Sequence, residues 1–167
     1  MGSPLFAKKK EYSLKVLISA CVVGKDVRWN GTNKLDDQIA KWAKKSGIDL
    51  VPVCPEHQLL GTPRPPIRLQ QIEGRIAAVV NGLDIFDDLK ETCKVIQNEH
   101  PEALGFIGIE KSPTCGVSVG VRSLGRTTKG AFHLDAPFPT TTINQMRSEK
   151  NRDMFLRRIQ KYKKSLE

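Results

Sequence analysis

Apolar and polar positions divide the chain into short blocks of changing period. Residues 13–21, "SLKVLISAC", form an apolar run rich in branched side chains, which predicts a buried strand. The loop "VVGKDVRWNGTNKLD" follows, with Asn30-Gly31 as a turn signal. Over residues 36–47 the spacing becomes helical. Ile39, Trp42 and Ala43 share a face, acids lead, and Lys44-Lys45 precede Gly47. Residues 48–54, "IDLVPVC", predict a second strand, and 55–66 a proline-laden loop. Residues 67–84 are ambiguous and lean toward two short strands turning at Asn81-Gly82. Phe86, Leu89, Cys93 and Ile96 line one face of a helix over 85–99, and "ALGFIGI", 103–109, predicts the third core strand. From 116 to 143 the pattern is weak, and a helix is expected from about Thr142.

Strands alternating with helices predict an α/β fold: a single domain with a small, mostly parallel sheet flanked by helices. The 167 residues suit one domain, with 13–143 as its body and 144–167 as a basic C-terminal helix packed on it or extending from it. No apolar run approaches the roughly 18 residues of a membrane span. The first residues lack an apolar stretch followed by a cleavage site, so a cytoplasmic protein without a membrane partner is expected. No obligate protein partner is inferred.

The charge is uneven. There are 27 basic and 18 acidic side chains, for +9. Residues 147–167 hold eight basic and three acidic groups, so the tail carries +5 of it. Such a tail can steer phosphates or nucleic acid. It reads equally as a solvated helix, packed through Met154, Ile159 and Tyr162.

The cysteines bring in chemistry. Cys21 ends the first predicted strand, Cys54 ends the second, and Cys115 lies in "EKSPTCG" beyond the third. In a parallel sheet these positions share the carboxyl edge, where ligands bind. Cys93 sits on an apolar helix face, where a cysteine acts as a small hydrophobe. Three converging thiolates without a C-x-x-C pair suggest a metal cluster with an open position rather than a zinc site. Three unrelated reduced thiols are the other reading, and spacing alone does not separate them.

Three blocks in order, "SACVVGKDVRWNGTNK", "CPEHQLLGTPRPP" and "EKSPTCG", resemble the hallmark motifs of the thiouracil desulfidase family. The likeness covers about residues 14–120. It implies a [4Fe-4S] cluster held by Cys21, Cys54 and Cys115. It also implies non-redox desulfuration of thiolated uracil to uracil and hydrosulfide. By position Glu56 would be the acid/base residue and Ser112 its partner near the substrate. The chain departs from the pattern at Trp29-Asn30, where Tyr-Asp is usual, and at Arg68, where an acid is usual. The gap between Glu56 and Thr62 is one residue shorter, and beyond Gly120 the likeness fades.

Around these motifs Arg64 is a candidate to grip a carbonyl or phosphate with its planar donors, with Arg28 and Lys34 as further cations. Thr114 is a candidate donor to cluster sulfur or substrate, or else a turn cap. Glu56 paired with Arg64 as a loop ion pair is the plainer reading of both. The expected substrate is a thiolated nucleobase or nucleotide, or a thiolated RNA brought in by the basic tail. The competing class is a metal-, cluster- or RNA-binding module without turnover.

Overall fold

The computed structural model describes residues 14–122 and 125–167. In chain order its elements are β1 (Leu14–Ser19), α1 (Asp37–Lys45), β2 (Ile48–Val53), α2 (Pro55–Leu60), β3 (Arg68–Ile72), β4 (Arg75–Val80) and β5 (Leu83–Asp84). Then come α3 (Phe86–Glu99), β6 (Ala103–Gly108), β7 (Val119–Val121), β8 (Arg126–Thr128), α4 (Ala131–Leu134), β9 (Thr140–Thr142) and α5 (Glu149–Ser165). The centre is a four-stranded sheet in the order β2-β1-β6-β9, parallel at every pairing.

A parallel sheet needs both faces covered, and alternation along β1 serves two cores. Leu17 packs on one side with Phe106, α3 (Leu89, Cys93, Ile96) and the antiparallel layer β3-β4-β5. Val16 and Ile18 pack on the other with Leu104, Ile107, α1 (Ile39, Ala43) and α5 (Phe155, Ile159). Lys15 pairs with Ala103 while Leu17 pairs with Phe106, so β6 carries one extra residue. That bulge turns Ala103 and Phe106 to the same face. Gly105 sits in it, where a Cβ would lie 3.1 Å from the Phe155 ring and 3.2 Å from the Pro139 carbonyl oxygen.

The chain moves from β1 through α1 to β2 at one edge. It then returns through α3 across β1 to β6. Crossovers of one hand running in opposite directions put their helices on opposite faces, as α1 and α3 are. The strand order therefore reverses between β1 and β6, and a crevice opens outside their carboxyl ends.

Five expectations change. The hairpin between the long strands of the antiparallel layer turns at Glu73-Gly74, both at positive φ (47° and 80°). Asn81-Gly82 makes the next turn, into β5, so the segment holds three strands rather than two. Residues 55–60 are helical, because Pro55 suits a first helical position and Cys54 caps it. The weakly patterned 116–143 stretch contains the β7-β8 hairpin, α4 and the edge strand β9. The last helix starts at Glu149, capped by the Ser148 side chain accepting from the Asn151 N–H. Phe155 and Ile159 anchor it, while Met154 is exposed.

Candidate functional site

Strands β1, β2 and β6 each hand the chain to a turn or helix start that places one thiol. After β1 the backbone winds into a short 3-10 turn, Ala20–Val23, which ends at Gly24 with φ 95°. Its Cys21 carbonyl accepts from the Gly24 N–H (3.2 Å) and the Lys34 N–H (2.8 Å), which fixes the loop around the thiol. After β2, Cys54 is the N-cap of α2, and its Sγ accepts from the His57 N–H at 3.4 Å.

After β6 the chain makes the tight turn "EKSPTCG". Lys111 adopts φ 66° there. Ser112 Oγ accepts from the N–H groups of Thr114 (3.2 Å) and Cys115 (3.0 Å). The Cys115 carbonyl is wedged against Gly108, where any Cβ would overlap it, and is held by His133 Nε2 at 2.7 Å. A small-residue turn is needed here because the backbone passes this close to its own strand.

Cys21, Cys54 and Cys115 line one cavity of about 210 Å³ with Ser19, Arg28, Trp29, Glu56, Arg64, Glu110, Lys111 and Ser112 among its other walls. Burial drives the thiols toward the protonated form. It pushes Cys21 up to about 11, with the neighbouring Cys54 adding and the Arg28 guanidinium opposing. Burial also raises Cys54 and lifts Cys115 well above the usual thiol range. Cys93 lies apart, in the core beneath α3. Among the described residues no three ligating side chains close on a single ion. The donor set is three soft sulfurs lining one chamber, the ligand type that suits soft metals and iron–sulfur groups.

Glu56, only 9% exposed, is held at both carboxylate oxygens. Its Oε2 accepts from Thr114 Oγ1 at 2.7 Å and Ser112 Oγ at 3.4 Å. Its Oε1 faces Arg64 Nη2 at 3.2 Å in a buried ion pair. Arg64 Nη1 donates in turn to the carbonyls of Val27 (2.9 Å) and Gly61 (3.1 Å) and to Thr62 Oγ1 (3.0 Å). The Arg64 N–H also donates to the Trp29 carbonyl at 2.9 Å. This arginine therefore clamps the loop after β1 to the loop after α2 and orients Glu56.

The remaining candidates from the motif blocks serve different tasks. Arg28 lines the cavity. Lys34 is exposed and does not line it; only its backbone touches the Cys21 turn. Thr114, expected to meet substrate or cluster, is fully buried, and its hydroxyl is engaged by Glu56. Ser112 both caps its own turn and donates to Glu56.

Three further residues belong to the site without a role expected from sequence. Glu110 lines the cavity and accepts from Thr142 Oγ1 at 2.7 Å, a contact that exists only because β9 pairs with β6. Trp29, 45% exposed, stands at the cavity wall. His133 is buried behind Cys115, and burial lowers its basicity. No local motif marks His133, whereas "VRWNG" does flag the Trp29 loop.

A sequence model of the family described as 2-thiouracil desulfurase matches residues 16–151. None of the curated proteins compared with the chain matches it in sequence. Among solved structures it is similar to the [4Fe-4S]-dependent thiouracil desulfidase TudS (DUF523Vcz), at 24% identity and a TM-score of 0.61. That match covers 80% of this chain and 93% of the other, and at this identity it speaks to the fold.

Proposed function

Because this chain belongs to the 2-thiouracil desulfurase family, we propose that it hydrolyses the thiocarbonyl of a thiolated uracil, giving uracil and hydrosulfide, with a [4Fe-4S] cluster held by Cys21, Cys54 and Cys115. The observation that carries this reading is the single cavity lined by those three sulfurs and the fixed carboxylate of Glu56. Three sulfurs satisfy three irons of a four-iron cluster and leave the fourth without a protein thiolate. Three soft sulfurs on the walls of one cavity, with the Ser19 hydroxyl turned to the Cys115 thiol, are a donor set that fits a soft-metal cluster. When bound, the cluster supplies a soft Lewis acid for the thiocarbonyl sulfur.

The chain's own residues do the rest. Glu56 takes the proton of a water that attacks the ring carbon bearing sulfur. The carbon–sulfur bond then breaks and sulfur departs as hydrosulfide. Carbon keeps its oxidation state, so no external electrons are required. Ser112 and Thr114 fix one carboxylate oxygen and Arg64 the other, which holds the base in one orientation. The Arg28 guanidinium favours the thiolate form of Cys21. The apolar floor from Val53, Ile67 and Ile109 suits a flat pyrimidine.

The test is anaerobic loading with iron and sulfide, followed by assay with thiouracil. About four irons per chain, with uracil and hydrosulfide released in equal amounts over many turnovers, is the expected result. Iron that never exceeds one per chain, under conditions that load a control cluster protein, ends the cluster reading. A loaded protein that binds thiouracil and releases nothing leaves the binding-module reading in its place.

A further inference from the structure

A second, larger depression of about 710 Å³ opens against the cavity. Ile67, Lys111 and Pro113 line both, so the two are adjacent. Its walls are β3, the β7-β8 hairpin and the turn after β6. Arg122 ties the hairpin to β3 by donating its N–H to the Leu69 carbonyl at 2.8 Å, and bridges to Gln70. The floor is therefore held in place by backbone pairing.

Four exposed cations face this groove, namely Arg68, Lys111, Arg122 and Arg126. No acidic residue lines it, and among the described residues none of the four has an ion-pair partner. The other lining positions are small or apolar, and Gly120 leaves open space where a side chain would stand. Four like charges in one channel repel one another, so the arrangement favours an anionic occupant.

Resting on the function proposed above, we infer that this groove binds the phosphate backbone of a single-stranded polynucleotide whose thiolated uracil enters the cavity. A lone phosphate would leave most of the four cations unmatched, whereas consecutive phosphates along a strand answer several. The cavity itself, at about 210 Å³ against about 710 Å³ for the groove and shared with the proposed cluster, does not take a paired stack. A base must therefore be unstacked to enter, as in single strands and loops. Trp29 offers a partly exposed aromatic face at the cavity wall, the kind of surface on which an unstacked base rests. The basic face of α5 is a separate surface, and none of its residues lines either depression.

The experiment uses cluster-loaded protein and a short single-stranded RNA containing one thiouridine. Binding is read by fluorescence anisotropy across a salt series, beside turnover of that RNA, of thiouridine monophosphate and of free thiouracil. Four phosphate contacts predict a slope of log affinity on log salt of about −2.8, and Arg122→Gln with Arg126→Gln should reduce its size by about 1.4. The same pair should lower kcat/KM on the RNA at least about tenfold and leave free thiouracil unchanged. Gly120→Glu, whose Cβ would meet no atom within 4 Å, should act likewise by placing a carboxylate in the channel. Unchanged RNA affinity and slope in both variants would overturn the inference. So would an equal loss on the monophosphate, which would mean a single-phosphate site, or a loss reproduced only by Arg157→Gln with Lys161→Gln on α5. Absence of turnover on every substrate counts against the desulfuration reading alone, because the binding slopes still decide the groove.

Discussion

Glu56 shows how much a single side chain depends on its neighbours. Glu56→Gln keeps shape and removes the proposed base. The variant should load iron as the parent does, while kcat falls by about 10²- to 10⁴-fold. Metal content and steady-state kinetics on the same preparation check this, and an unchanged kcat with a raised KM would leave Glu56 as a binding group only. Thr114→Val isolates one of its supports. The hydroxyl is fully buried and donates to a carboxylate at 2.7 Å. Its loss should cost about 1.5–3 kcal/mol of stability, as hydrogen bonds to charged groups do. Urea unfolding measures that cost, and kcat should fall too, since Glu56 Oε2 retains only the longer bond from Ser112.

Elements place the thiols, so element-scale changes sort ligand from core. Cys21→Ser, Cys54→Ser and Cys115→Ser should each abolish cluster loading, because a hydroxyl is a poor ligand for a soft metal. Cys93→Ser should load normally and lose only packing beneath α3. Iron and sulfide analysis of the four variants decides it, and equal loss in Cys93→Ser would require a different ligand set. Gly108→Ala tests the close passage of the turn against its own strand. Its Cβ would overlap the Cys115 carbonyl, so the turn must move away from His133. The expected outcome is a marked drop in melting temperature together with poor cluster retention. Gly120→Ala, with open space around its Cβ, is the matching control and should leave both unchanged.

For the whole molecule, burial of thiols links stability to alkaline pH. Burial pushes Cys93 up to about 12 from an ordinary 9.0, with smaller contributions from Glu56 and Asp135. The unfolded chain therefore loses this proton first as pH rises. Above pH 9.0 it binds fewer protons than the fold, so stability present below that pH drains away toward about 12. Metal-free protein should lose stability between about pH 8 and about pH 10.5, and Cys93→Ala should lose less over the same interval. Paired urea titrations measure the difference, and parallel losses in the two proteins would remove Cys93 from the account.

The sequence by itself determined the strands β1, β2 and β6, the helices α1 and α3, and the positions of Cys21, Cys54 and Cys115 at one sheet edge. Those features rest on local periodicity and on the alternation of strand and helix, both of which are written along the chain. The three motif blocks likewise marked Glu56 and Ser112. What only the tertiary structure decided are features set by long-range pairing. The edge strand β9 is a three-residue run of threonines that becomes a strand because β6 offers it an edge. Arg64 reads from its motif as reaching for a ligand, yet folding places four backbone or side-chain acceptors around its head groups, and they engage it first. Thr114 lies beside two predicted site residues in sequence, but its hydroxyl points to a carboxylate 58 positions away. Glu110 and His133 join the site through β9 and α4, elements with no periodic signal. Periodicity records which way a residue faces within its own element, whereas the partner it meets there is fixed by how elements pack.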